Sequence, residues 1–298
     1  MLVIILTCAT FISCNGNSDD LRRVHNEEFA AGGWVPDMNE YKWVVAVYRK
    51  QESEQFDHIC GGSLISTELV ISAAHCFWNA GRDVHLDNYR ISAGNFHRQI
   101  SYDFGTQVRE IKDIVFHERY HDYDINYAYD IAILVAKKEI FMNFQVNPIE
   151  IDWDSSFDDS QLEHQYGTAV GWGVTEYDQF SGIRIAVQLP YVDFDTCYKA
   201  VPNEFHSYLT PDKFCAGLQN GTAMCPGDSG SGLAFFRSED NKWYLRGIMS
   251  VGVKPKNHSK CEKTQFSAFT SISHYHNWLK QKITQISKRE MFAKVSQY

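Results

Sequence analysis

A serine hydroxyl attacks a carbonyl carbon only when a base takes its proton and hydrogen-bond donors receive the oxyanion that forms. Three short segments of this 298-residue chain hold those parts. Ser229 lies in Cys225-Pro226-Gly227-Asp228-Ser229-Gly230-Ser231-Gly232-Leu233, a glycine-rich bend that can turn backbone N–H groups inward. His75, in Ser72-Ala73-Ala74-His75-Cys76, offers an imidazole as the base. Asp130, in Tyr129-Asp130-Ile131-Ala132-Ile133-Leu134, opens an apolar run in which its carboxylate can fix the imidazole tautomer. A lone His beside Cys or a lone Asp before a strand is more often structural than catalytic, and Gly-Asp-Ser-Gly alone is only a moderate signal. Together, in the order His, Asp, Ser, they point to acyl transfer through a covalent acyl-enzyme.

These groups must be positioned by a scaffold, and its rhythm is that of strands. Apolar or β-branched runs at 43–47, 69–72, 108–116, 131–135 and 244–251 are separated by turn residues, which predicts an all-β body. Only the end differs. Ile272, Tyr275, Leu279, Ile283 and Ile286 recur at spacings of three and four, one face of a helix packed on the body. No internal repeat, low-complexity tract or long linker interrupts the chain, so a single unit of two similar halves is expected, without accessory modules.

With 44% hydrophobic residues the chain can bury one large or two modest cores, and its formal net charge of −9 argues against an electrostatic hold on nucleic acid. The run Met1–Ile12, followed by a polar stretch from Asn15 to Asp20, resembles a secretory signal peptide over residues 1–16, although no positive charge follows Met1. A secreted protein without membrane attachment is expected. Of eight cysteines, Cys8 and Cys14 fall in that segment. Cys60, Cys76, Cys197, Cys215, Cys225 and Cys261 remain for disulfides, with the pairing left open by arithmetic alone.

A second chemistry also has a motif. His117-Glu118-Arg119-Tyr120-His121 matches the pattern in which two imidazoles on one helical face hold zinc. Its context is wrong, since it follows a strand-like run, precedes Asp122-Tyr123-Asp124-Ile125-Asn126, and lacks a third ligand. No metal is expected there.

The triad segments, with Ile59-Cys60-Gly61-Gly62-Ser63-Leu64-Ile65, Gly171-Trp172-Gly173, Phe214-Cys215-Ala216-Gly217 and Ile248-Met249-Ser250-Val251-Gly252, resemble the trypsin/chymotrypsin family of serine peptidases from about Ala30 to Leu279. The resemblance implies two packed antiparallel six-stranded β-barrels with the active site between them and a closing C-terminal helix. It also implies the pairs Cys60 with Cys76, Cys197 with Cys215 and Cys225 with Cys261, each stabilising by about 2–4 kcal/mol. By position, Gly227 and Ser229 donate to the oxyanion. Ser250 bonds Asp130 and, with Gly252, pairs with an extended peptide substrate.

The same resemblance makes Ala223 the floor of the primary pocket, with Met224 and Ser267 narrowing it and Gly252 leaving its mouth open. An apolar side chain is therefore expected before the scissile bond, as in chymotrypsin or elastase, and not Arg or Lys. Tyr127 matches the residue that caps the adjacent subsite. Relatives are zymogens, so a propeptide over 17–29, a cut after Phe29, and insertion of the new Ala30 terminus beside Asp228 are implied, leaving 30–298 as the peptidase domain. The pair Ala30-Ala31 departs from the larger residues usual there.

A calcium loop is not implied, because Asn95 stands where an acid is expected, and no cofactor is called for. Asn220 and Asn257 head glycosylation sequons. The expected partners are protein or peptide substrates and protein inhibitors of a monomeric enzyme. The pattern looks most like arthropod clotting- and immune-cascade peptidases, with digestive and venom roles open. A catalytically weak or silent relative acting as a binding protein is the alternative, encouraged by Ser231-Gly232 where Gly-Pro is usual.

Overall fold

The computed structural model describes residues 33–79, 83–156, 159–256 and 259–295. The first half supplies β1 (Val44–Lys50), β2 (Phe56–Leu64), β3 (Leu69–Ser72), β4 (Tyr89–Ala93), β5 (Gln107–Phe116) and β6 (Ala132–Ala136). The second supplies β7 (Tyr166–Gly171), β8 (Ile185–Val192), β9 (Lys213–Ala216), β10 (Gly232–Arg237), β11 (Lys242–Gly252) and β12 (Ser267–Ser271). Each half closes on itself, in the orders β1-β2-β3-β6-β5-β4 and β10-β11-β12-β9-β8-β7. Every pairing is antiparallel. The two-barrel architecture and its closing helix agree with the sequence reading.

Barrel closure explains why β3 and β6 are buried residue by residue and apolar throughout except for Ser72 at the end of β3. One face fills the lumen and the other lies under neighbouring structure. A continuous cluster runs from Val45, Ile71, Ile91 and Leu134 of the first barrel into Trp172, Ala234 and Leu245 of the second. The seam between the barrels is therefore apolar, and the Trp172 indole N–H spans it to the Phe96 carbonyl at 3.0 Å. A second cluster fills the other lumen with Leu189, Phe214, Leu233, Phe235 and Phe269.

Two α-helices follow among the described residues. The first, α1 (Phe194–Ala200), is capped by Asp193, whose carboxylate accepts the Thr196 amide at 3.0 Å. The second, α2 (His276–Val295), starts one turn later than the apolar spacing suggests, because Ser273–Tyr275 form a tighter 3-10 turn. Ile272, Tyr275, Leu279 and Ile286 are buried all the same. Three disulfides pair Cys60–Cys76, Cys197–Cys215 and Cys225–Cys261.

One buried polar residue sets a pH limit on the fold. His58, 6% exposed, packs against Tyr48 and Trp172, and neither ring nitrogen finds a hydrogen-bond partner among the described residues. Burial, aided by the Arg98 charge, pushes its pKa down from the usual 6.5 to about 3. The neutral ring thus contributes stability that is present above pH 6.5 and is lost as pH falls toward 3. Between neutral pH and about pH 4.5 the loss amounts to about 2–3 kcal/mol. Denaturant melts of the wild type and His58→Leu at both pH values should show the wild type losing that much more; equal losses would refute the assignment.

Candidate active site

His75 sits in a 3-10 turn, Ala74–Cys76, directly after β3, and the Cys60–Cys76 disulfide ties that turn to β2. Asp130 lies two residues before β6, wholly buried. The neighbouring strands β3 and β6 pair from Leu69↔Val135 to Ser72↔Ala132, which brings the two residues together. Asp130 Oδ1 accepts the His75 backbone amide at 2.9 Å, and Oδ2 lies 2.8 Å from His75 Nδ1. A third bond comes from the second barrel, where Ser250 Oγ donates to Asp130 Oδ2 at 2.6 Å.

Ser250 reaches that carboxylate because its strand is irregular. Met249 of β11 pairs with Phe269 and Val251 with Ala268, so the register slips at Ser250 and the residue between them has no cross-strand partner. A bulge of this kind re-aims a side chain.

Ser229 stands on the loop before β10, anchored to both barrels. Its carbonyl accepts the Gly61 amide of β2 at 2.7 Å, and the next amide, Gly230, donates to the Met249 carbonyl of β11 at 2.8 Å. Gly230 has φ +77°, and a Cβ there would lie 2.4 Å from Ser72 Oγ and 2.6 Å from the Gly61 carbonyl. Only glycine fits. Gly227, in the same loop, also has positive φ, at +98°.

The charges are sorted by this packing. Burial works against an imidazolium at His75, but the charge and hydrogen bond of Asp130 outweigh it, with Asp122 adding to them, and the net pKa is raised. Burial alone would raise Asp130 too. His75, Lys213 and Ser250 together hold it below the ordinary range, so it remains a carboxylate. This pair can take up a proton at His75 while Asp130 stabilises the resulting cation.

Asp228, beside Ser229, points away from His75 into the second barrel. It accepts the Gly173 amide at 2.8 Å and the Cys225 amide at 3.0 Å. A Cβ at position 173 would fall 2.0 Å from Asp228 Oδ2, which explains the glycine in Gly171-Trp172-Gly173. Burial pushes the Asp228 pKa up to about 6, against the pull of those two amides. Phe29 and Ala30 lie outside the described residues, as does Asn257. Asn220 is exposed in a turn, its Oδ1 accepting the Thr222 amide at 3.2 Å.

Ala223 and Met224 are buried, Gly252 is exposed at the end of β11, and Ser267 pairs with Gly252 at the start of β12. Met249, which the sequence reading passed over, brings its terminal methyl within 3.7 Å of the place a Cβ on Gly252 would take. Tyr127 lies edge-on to the His75 ring at 6.0 Å. It opens a cavity of about 480 Å³ lined by Phe205, Tyr208, Val251, Val253 and Lys254.

The zinc-like motif has a different geometry. His117 to His121 lie between β5 and a 3-10 turn at Asp122–Ile125, not on a helix. The His117 ring stacks on Tyr129 at 4.7 Å, and Glu118 accepts the Trp278 indole at 3.0 Å and pairs with Lys282. Asn95 donates to the Tyr48 hydroxyl at 2.7 Å and to the His97 carbonyl. Among the described residues no helix is long and apolar enough to cross a membrane.

A profile of the trypsin family matches residues 31–279, most of the chain. The chain belongs to the trypsin family. Among its trypsin-family relatives, the CLIP domain-containing serine protease HP8 of Bombyx mori is 27% identical over 88% of this chain and 71% of that protein. Clotting factor C of Tachypleus tridentatus is 28% identical over 92% of this chain but only 27% of its own length. The Spaetzle-processing enzyme of Drosophila melanogaster is 27% identical, over 85% of this chain and 66% of that protein. The chain thus spans about a quarter of clotting factor C and about two thirds of the shorter relatives. Family and relatives make it a serine endopeptidase, a hydrolase.

Proposed function

We propose that the chain is a secreted endopeptidase in which Ser229 is the nucleophile, His75 the general base and Asp130 its orienting carboxylate, with the Gly227 and Ser229 amides receiving the oxyanion. The observation that carries this reading is the carboxylate of Asp130, which takes both His75 donors and the Ser250 hydroxyl within 2.9 Å. Such a cage leaves Nε2 as the basic nitrogen. His75 takes the Ser229 proton as the hydroxyl attacks the carbonyl, and returns it to the leaving amine; a water then repeats the cycle to release the acid. An extended peptide adds to β11 at Ser250–Gly252 through backbone hydrogen bonds.

A fluorophosphonate probe tests the nucleophile on protein whose terminus has been cut to Ala30. Covalent labelling at Ser229 supports the reading, and absence of labelling favours a silent binding protein. The peptidase domain would run from 30 to 298, after a signal at 1–16 and a propeptide at 17–29. The substrate would come from a proteolytic cascade like those in which its relatives are named, with protein inhibitors as further partners of a monomer. Asn220 and Asn257 would carry glycans.

The primary pocket, with Ala223 and Met224 buried at its base and Met249 in its wall, suits Leu, Met or Phe. Ala223→Asp should shift preference toward Arg and Lys by at least about 10-fold relative to Leu, from one new charge pair at the floor. A library of fluorogenic peptides differing only at the residue before the cut measures the ratio. A parent enzyme already favouring Arg or Lys would overturn the pocket assignment.

A further inference from the structure

Behind the loop that carries Tyr127 and Asp130 lies a cation that no catalytic step uses. Lys213 opens β9, and its side chain is fully buried. Its Nζ donates to the Tyr127 carbonyl at 2.6 Å and to Thr210 Oγ1 at 3.0 Å, with Asp212 Oδ1 at 3.8 Å. Asp212 in turn accepts the Tyr129 amide at 2.9 Å and the Tyr275 hydroxyl at 2.6 Å. The adjacent pair therefore grips the loop at two backbone points on either side of Ala128, two residues before Asp130.

That loop needs gripping. Asp122, Asn126, Tyr127 and Tyr129 all have φ between +53° and +61°, a conformation that costs non-glycine residues energy and persists only when surroundings enforce it. An uncharged side chain at 213 could fill the space without reaching the Tyr127 carbonyl. Burying an ammonium is costly unless charge and hydrogen bonds compensate. Here burial has the larger effect and lowers the Lys213 pKa from its ordinary value, while Asp212 and Asp130 favour the charge.

Resting on the peptidase reading above, we propose that Lys213 is a positioning residue for the catalytic pair: it clamps the Tyr127 carbonyl and sets the field in which His75 takes its proton. The charged and titratable groups around His75 are Asp130, Asp122 and Lys213, with the Tyr120 hydroxyl on Asp122 at 2.6 Å and the Tyr127 ring at its edge. Lys213 opposes the two carboxylates there. Removing its charge makes the imidazolium easier to form, so the base is lost at a higher pH. Removing its hydrogen bond frees Tyr127, the wall of the subsite next to the primary pocket.

The test compares protein processed to Ala30 as wild type, Lys213→Met, Lys213→Arg and the double variant Asp212→Asn/Lys213→Met, which leaves no unpaired buried charge. The fluorophosphonate labelling rate at Ser229 is followed against pH. Lys213→Met should move the acid limb upward by about half to one pH unit, the double variant by less because it also removes the Asp212 carboxylate, and Lys213→Arg should hold the wild-type position. Both Met variants should also lose discrimination among peptides differing at the residue facing Tyr127. If Lys213→Met fails to fold, the double variant decides. Labelling of the wild type with superimposable pH limbs in the variants overturns this inference alone; a wild type that never labels overturns the peptidase reading and this inference with it.

Discussion

Asp130→Asn should lower kcat about 10⁴-fold at neutral pH while KM stays within a small factor. Both Asp130 oxygens are committed: Oδ1 to the His75 amide, Oδ2 to His75 Nδ1 and Ser250 Oγ. An amide in that place must present an N–H to one of them. Wherever the N–H faces Nδ1, it turns Nδ1 into the acceptor and moves the ring proton to Nε2, so the base has no lone pair for the serine. The cation formed later also loses its counter-charge. Steady-state kinetics on protein processed to Ala30 measure the effect, with circular dichroism checking that the barrels persist. A loss smaller than tenfold would show that Asp130 is not the orienting carboxylate.

A second large effect is expected at Asp228. Protein beginning at Ala30 should exceed the full-length chain in kcat/KM by about 10²–10³-fold, the equivalent of about 3–4 kcal/mol for completing a buried charge pair. Asp228→Asn should abolish that gain. The same carboxylate imposes a pH signature before processing. Its pKa is raised by burial from 3.8 to about 6, so stability is fully present below pH 3.8 and falls as pH rises through about 6. Relative to Asp228→Asn, the unprocessed wild type should lose about 3 kcal/mol between pH 4 and pH 7. Processed protein should not, because an ammonium would then compensate the charge. A pH-independent difference between the two unprocessed proteins would remove Asp228 from this role.

The segments of the proposed triad stand out in the sequence because each proposed role demands a residue type that few local contexts tolerate: a hydroxyl among glycines, an imidazole beside a cysteine, an acid opening an apolar strand. Strand runs such as 69–72 and 131–135 were equally plain, since a barrel buries both faces and leaves no polar alternation to confuse the reading. Lys213 was not legible. A lysine before Phe214-Cys215-Ala216 reads as a solvated strand end, and only the fold places the Tyr127 carbonyl and Asp212 around it. Met249 draws no notice in the sequence, because alternation says which way a strand residue faces and not how far a long side chain reaches. The start of α2 was blurred for a related reason: Ile272 and Tyr275 keep helical spacing through a 3-10 turn, where the apolar stripe continues but the hydrogen bonding changes.

The bulge at Ser250 has a wider implication. The Ser250 bond to Asp130 crosses from one closed barrel to the other, as does the Gly61 bond to the Ser229 carbonyl. The proposed base and its carboxylate ride on one barrel, the proposed nucleophile and the Ser250 hydroxyl on the other, and neither barrel alone holds the full set. Catalytic competence is therefore a readout of alignment between two bodies and not of the integrity of either. A ligand gripping both would lock the enzyme's register, and one prising them apart by an ångström could silence it with every strand still in place.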